Sequence, residues 1–318
     1  MITSYRDHAY QLAVGDSGDN TLAELFGKSP GCARGKGGSM HLYYPKNKFY
    51  GGNGIVGAQI PLGAGLAMAH KMRADGGVAI TGYGDGAANQ GQVFEAYNMA
   101  KLYNLPCIFL CENNEYGMGT STKRSSANTD YYTRGDYIPG IWIDGMDVLA
   151  CKQGFKYAYE WCRNGNGPIV VECQTYRYHG HSMSDPGVAY RTRDEVDAIR
   201  SSRDPIEQVK HKILQQKWAT EAELKSIEKT IRKQVDGHLK FATEAKELPP
   251  SEIFTDIYVG ELPPLLRPVD FRMARDREAG LFNPMAEGTS TDVMNQSNSD
   301  EADSAKRGES QSPQGMKA

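Results

Sequence analysis

Two short motifs carry residue types suited to gripping a charged ligand: Gly84-Asp85-Gly86 and, further along, Asn113-Asn114. A carboxylate, a side-chain amide and a backbone carbonyl are all hard oxygen donors, the set that magnesium takes where it is shared with phosphate. The glycines let the backbone approach a ligand closely. The N–H groups of Gly86 and Ala87 leave such a turn toward the same spot, and a helix start there adds partial positive charge. Together the motifs predict a site for a magnesium diphosphate. No G-K-[ST] follows the glycines, so this is not a Walker loop. Glycine–aspartate–glycine alone also makes an ordinary turn, and the reading depends on where both motifs fall in the fold.

His179-Gly180-His181-Ser182 is the other reactive group. Histidine titrates near neutrality and suits proton handling. Two histidines two residues apart also suit a metal, although no further soft ligands lie nearby, and either suits a structural role.

The elements that must position these residues follow from hydrophobic pattern. Val78-Ala79-Ile80-Thr81 predicts a short buried strand and Gly82 to Gly86 a tight turn. Val93 to Ala100 has helical spacing, and Cys107 to Cys111 is an unbroken apolar run after Pro106. Strand, turn, helix and strand make a βαβ unit with a parallel sheet. That unit sets Asp85 and Asn114 at the carboxyl ends of neighbouring strands, where open α/β sheets bind ligands. Ile141 to Ile143 and Ile169 to Val171 predict further strands, with a helix from Leu149 to Cys162. Ile60 to His70 predicts a helix of small residues, and about half of the 35 glycines lie between Gly27 and Gly91. The fold class is α/β, a doubly wound, mostly parallel sheet over residues 1–202.

The pattern changes near residue 203. Asp204-Pro205 is a helix start, and Thr220 to Glu223 is a capping box. Leu224, Ile227, Ile231, Val235 and Leu239 mark one apolar stripe. Residues 203–282 are thus expected to be a helical extension packing on the α/β domain. Residues 283–318 are polar and are expected to be a disordered tail.

Composition bounds the function. The 318 residues are 39% hydrophobic and 24% charged, with net charge −3. That balance carries no footprint for nucleic acid, and no apolar run reaches the roughly 18 residues of a membrane span. Six cysteines without a C-x-x-C pair suit a reducing compartment. Met1 to Arg6 does not have the pattern of a signal or transit peptide.

Gly-Asp-Gly followed by Asn-Asn is the signature of thiamine diphosphate enzymes. Tyr50 to Gly57, Gly82 to Gln92, Glu112 to Gly119 and Tyr176 to Ser182 closely resemble the α subunits of thiamine diphosphate-dependent 2-oxo acid dehydrogenases of the pyruvate type, over residues 1 to about 265. The resemblance implies thiamine diphosphate and magnesium as cofactors. It implies oxidative decarboxylation of pyruvate, with the acetyl group passed to the lipoyl domain of an acetyltransferase core. Asp85, Asn114 and the carbonyl of Tyr116 match magnesium ligands. Tyr5 and Arg6 match diphosphate contacts, Gly54 and Val56 the wall under the aminopyrimidine, and Gly86 and Ala87 backbone phosphate donors. His181 matches the histidine that faces the cofactor. Arg6 also suits a solvated helix, Tyr116 a loop and Val56 the core. Ser182 and Ser121 match positions modified by a regulatory kinase and restored by a phosphatase; a third such position falls on Ala189.

No carboxylate is evident here to activate the aminopyrimidine. In the two-chain members that glutamate belongs to the β subunit, which implies a heterotetramer of two α and two β chains, inactive as α alone, in the mitochondrial matrix. The family also has a segment before the tyrosine–arginine pair that brings a histidine to the site. Rival readings are a branched-chain 2-oxo acid or acetoin dehydrogenase α subunit, which Tyr178 to Pro186 disfavours, and a truncated, non-catalytic regulatory or decoy subunit.

Overall fold

The computed structural model describes residues 1–257. The expectations for the end of the helical extension and for the 283–318 tail lie outside the described residues. The chain opens with strand β1 (Thr3–Ser4) and helices α1 (His8–Ala13) and α2 (Gly18–Leu25). The following loop gathers around Glu24, whose buried carboxylate accepts the backbone N–H groups of Ala33, Gly35, Gly37 and Gly38 at distances between 2.7 and 3.0 Å. Four charge-assisted bonds offset the burial of that charge. The loop ends at β2 (Gly52–Asn53), parallel to β1.

Next come α3 (Gln59–Arg73), β3 (Ala79–Gly84), α4 (Gly91–Leu102) and β4 (Cys107–Asn113). A hairpin of β5 (Tyr116–Gly117) and β6 (Thr120–Ser121) leads through α5 (Thr122–Ser125) to β7 (Gly140–Asp144), α6 (Val148–Arg163) and β8 (Ile169–Gln174). Helices α7 (Arg193–Arg203), α8 (Pro205–Gln215) and α9 (Glu221–Glu244) follow.

The central sheet has the order β3-β4-β8-β7, and every pair is parallel. Ile2 extends its edge, donating to the Ile80 carbonyl at 3.0 Å and accepting from the Gly82 N–H at 2.9 Å. Both faces are covered. Cys107, Phe109 and Cys111 of β4 join Ile60, Ala64, Val93 and Tyr97 of α3 and α4 in one core. Ile108 and Leu110, pointing the other way, join Ala158 and Cys162 of α6 in a second. Alternation between two covered faces explains why β4 reads as an unbroken apolar run, and it makes the fold doubly wound α/β as expected. All six cysteines are free.

Three particulars differ from the sequence reading. First, β3 runs on through Gly82 and Gly84, which the sequence marked as turn. A Cβ on Gly82 would lie 2.7 Å from Thr3 Oγ1, so the glycine is what admits β1 alongside. Second, α7 precedes the change of pattern at residue 203, capped by Thr192, whose Oγ1 accepts the Glu195 N–H at 3.2 Å. Third, the α9 stripe does not turn inward: Ile227 is 58% exposed and Ile231 51%. The helix meets α2 near its own end, where His238 Nδ1 lies 2.7 Å from Asp19 and Ala242 is buried. The reason is length. At about 1.5 Å per residue, an eight-residue α2 covers only a third of the 24-residue α9. The caps read from sequence do form: Asp204 accepts the N–H groups of Ile206 and Glu207, and the Thr220–Glu223 capping box closes.

Candidate functional site

Strand register brings the two motifs together. Gly84 of β3 stands opposite Glu112 of β4, so Asp85 and Asn114 leave adjacent strand tips. The Asn114 N–H donates to Asp85 Oδ1 at 3.3 Å. Asn113 faces the other way, its amide donating to Glu172 Oε1 at 2.8 Å. Glu112 and Asn114, two residues apart, therefore share a face. With Asp85 they line a cavity of about 290 Å³.

Tyr5, Arg6, Val56, Gly86, Ala87, Tyr116 and His181 line the same cavity. Of the residues expected at the cofactor, Gly54 alone does not. It lies against the His41 ring, where an added Cβ would come within 3.4 Å. Ser182 and Ser121 lie elsewhere. Ser182 is exposed on a larger cavity, about 530 Å³, beside His179 and Asp197. Ser121, in β6, is paired with Tyr116 of β5.

Asp85 is 2% exposed. Desolvation pushes its carboxyl pKa up, and the Asn114 N–H partly opposes the shift. Its Oδ2 is buried without a hydrogen-bond partner. Gly86 and Gly117 pack backbone to backbone beside it: a Cβ on Gly117 would lie 3.3 Å from Gly86 Cα. The expected ligand at Tyr116, its carbonyl, accepts from Arg177 Nη1 at 3.1 Å, which leaves that oxygen a second lone pair.

On the opposite side, Arg6 Nη2 reaches His181 Nδ1 at 3.2 Å and also donates to the His181 carbonyl. Arginine can only donate, so Nδ1 accepts and the neutral ring carries its proton on Nε2. Desolvation, then Arg6 and Arg177, lower the His181 pKa. Tyr5 meets the same ring edge-on, with centroids 6.1 Å apart.

The loop that carries His181 is held by Asp185 and Arg191. Asp185 accepts from the N–H groups of His181 and Gly187 and from the Tyr190 hydroxyl at 2.7, 2.8 and 2.7 Å. Those bonds, led by the one from His181, pull its pKa down to about 2. Arg191 is 6% exposed and donates to the carbonyls of Arg177, Tyr178, His179 and Gly187.

Among the cavity residues to which the sequence reading gave no role are Glu112, Gln59 and Arg177. Glu112 adds a second carboxylate to the cavity beside Asp85. Burial raises its pKa, and the Tyr10 hydroxyl donates to its Oε1. Its signal was present in the two-residue step to Asn114 on one strand. Gln59 and Arg177 carried no such signal.

The donor set is made of oxygens around a buried carboxylate oxygen that lacks a partner, with an arginine across the cavity. That chemistry fits a divalent cation bound together with a diphosphate.

Residues 1–251 match the dehydrogenase E1 component family. The chain is 58% identical over 258 residues to the probable pyruvate dehydrogenase E1 component subunit alpha, mitochondrial, of Caenorhabditis elegans, covering 81% of this chain and 64% of that protein. To the subunit alpha of Dictyostelium discoideum it is 56% identical over 271 residues, 85% of this chain and 71% of the relative. To the somatic form of Homo sapiens it is 56% identical over 263 residues, 83% and 67% of the two chains. The chain thus spans about two thirds of the length of the curated relatives it matches.

Proposed function

The chain belongs to the dehydrogenase E1 component family, and from that premise we propose that it is the α subunit of a mitochondrial pyruvate dehydrogenase, working in the matrix. Its partner is the β subunit, in a heterotetramer of two α and two β chains. Its substrate is pyruvate, and the acetyl group passes to the lipoyl domain of an acetyltransferase core. The observation that carries the reading is the buried, unpartnered Asp85 Oδ2 at a strand tip beside Asn114, in a cavity that also holds Arg6 and His181.

Thiamine diphosphate, when bound with magnesium, supplies the carbon that adds to the 2-oxo acid and accepts the electrons released as carbon dioxide leaves. Asp85, Asn114 and the Tyr116 carbonyl would hold the ion. Tyr5, Arg6 and the N–H groups of Gly86 and Ala87 would hold the diphosphate, with Gly54 and Val56 toward the aminopyrimidine. Arg6 places a cation where anionic groups gather and, by donating to Nδ1, leaves His181 to offer a donor at Nε2. A phosphate on Ser182 would add nearly two negative charges close to Asp185, which secures the loop. One on Ser121 would act through its strand pairing with Tyr116. A kinase and a phosphatase acting at these serines, and the division at 202 and 282, are parts of the same proposal.

The test is calorimetry and turnover with the chain assembled with its β subunit. Wild type should bind thiamine diphosphate with magnesium and prefer pyruvate; Asp85→Ala should show no measurable cofactor binding. Faster turnover of a branched 2-oxo acid, or unchanged binding by Asp85→Ala, would sink the reading.

A further inference from the structure

Among the described residues, two buried side-chain oxygens without a hydrogen-bond partner belong to residues that line the cofactor cavity: Asp85 Oδ2 and Gln59 Oε1. The criterion that singles out the expected metal ligand therefore singles out a glutamine as well. Gln59 is 0% exposed. Its Nε2 donates to the Gly82 carbonyl at 3.1 Å, on the strand that ends at Gly84, just before Asp85. Only the nitrogen can serve a carbonyl, so this bond fixes the amide orientation and leaves Oε1 as the free end. An amide oxygen buried without a donor is costly, and a ligand that brings a donor recovers that cost.

We propose that Gln59 is a cofactor-binding residue whose Oε1 accepts a hydrogen bond from a donor brought by magnesium thiamine diphosphate. The donor is either a water in the ion's shell or an N–H of the aminopyrimidine. The proposal rests on the cofactor reading above and adds a contact to it.

The experiment titrates the assembled complex calorimetrically with magnesium thiamine diphosphate and, separately, with magnesium and inorganic pyrophosphate, which has no aminopyrimidine. Wild type that binds neither overturns the cofactor reading itself. Where wild type binds, Gln59→Met should bind thiamine diphosphate about three- to tenfold more weakly, the loss of one hydrogen bond. Weakening with both ligands assigns the donor to metal-bound water, and weakening with thiamine diphosphate alone assigns it to the aminopyrimidine. Gln59→Met affinity equal to wild type for both ligands overturns the proposal.

Because methionine also strips the Gly82 carbonyl of its donor, Gln11→Met is the fold control. Gln11 is likewise 0% exposed with Oε1 unpartnered, but lies outside the cavity. It should lower the unfolding temperature of the cofactor-free complex and leave both affinities unchanged. Equal weakening by Gln11→Met would reduce the Gln59 effect to general loosening and overturn the proposal. Gln59→Asn, which keeps the amide but draws it back by one carbon, should act in the same direction and serves where Gln59→Met does not assemble.

Discussion

The pair formed by Arg6 and His181 turns a sequence motif into an electrostatic setting. Burial is the largest cause of the lowered His181 pKa, and the Arg6 guanidinium is the next. Arg6→Met should therefore raise that pKa while leaving it below 6.5, because desolvation remains. The sign for stability follows. A histidine with a folded pKa below its unfolded value binds fewer protons when folded, so it costs stability as pH falls below 6.5, and the cost stops growing below the folded pKa. The variant should narrow that window. An NMR titration of the His181 ring in wild type and Arg6→Met reads the shift directly, and coincident curves would show that Arg6 does not tune the ring. At this scale much of the site was legible in the sequence. Asp85 and Asn114 could be placed because strand register and two-residue alternation are written in the pattern. Gln59 could not, because one polar residue in the first turn of a helix does not reveal which atom is left unpaired.

The helix α3 and the strand β3 meet so closely that two glycines of one helix should respond in opposite senses. Gly63 is buried, and a Cβ there would lie 1.6 Å from Thr81 Oγ1. Gly63→Ala should force helix and strand apart at a cost of about 1–3 kcal/mol. Gly65, two residues on, is exposed, and a Cβ there meets nothing within 4 Å. Gly65→Ala should stabilise the chain by about 0.5–1 kcal/mol, the ordinary gain of alanine over glycine inside a helix. Chemical unfolding of the two variants checks both signs, and destabilisation of equal size would mean that the close approach is not specific to Gly63. Small residues at Ile60 to His70 announced close packing, but the sequence did not say which glycine faces the sheet. The same limit explains α9. Its apolar spacing predicted an amphipathic helix correctly, but periodicity fixes a stripe and leaves open what covers it. The glycines of β3 misled for a related reason: a residue that interrupts most strands is here what lets Thr3 approach.

Across the whole molecule the site has one built wall and one open side. Asp85 and Asn114 stand at strand tips, whereas on the neighbouring side Ile55 is 72% exposed, Val56 44% and Met118 61%. A cofactor bound there by this chain alone would keep much of its surface in water, where hydrogen bonds and charge pairs are worth far less than in an enclosed site. The carboxylates lining the cavity are also committed: Asp85 stands where a cation is expected, and Glu112 is engaged by the Tyr10 hydroxyl. Under the proposed function, the carboxylate that exchanges a proton with the cofactor comes from the β subunit. The isolated chain should therefore bind magnesium thiamine diphosphate at least about tenfold more weakly than the assembled complex, the equivalent of one or two lost hydrogen bonds. It should also show no decarboxylation, and adding β subunit should restore both. Titration and turnover on the same preparation before and after that addition separate the outcomes. Weak binding with full turnover would place the missing carboxylate on this chain, and tight binding without turnover would leave the open wall irrelevant to affinity while still requiring the partner for chemistry.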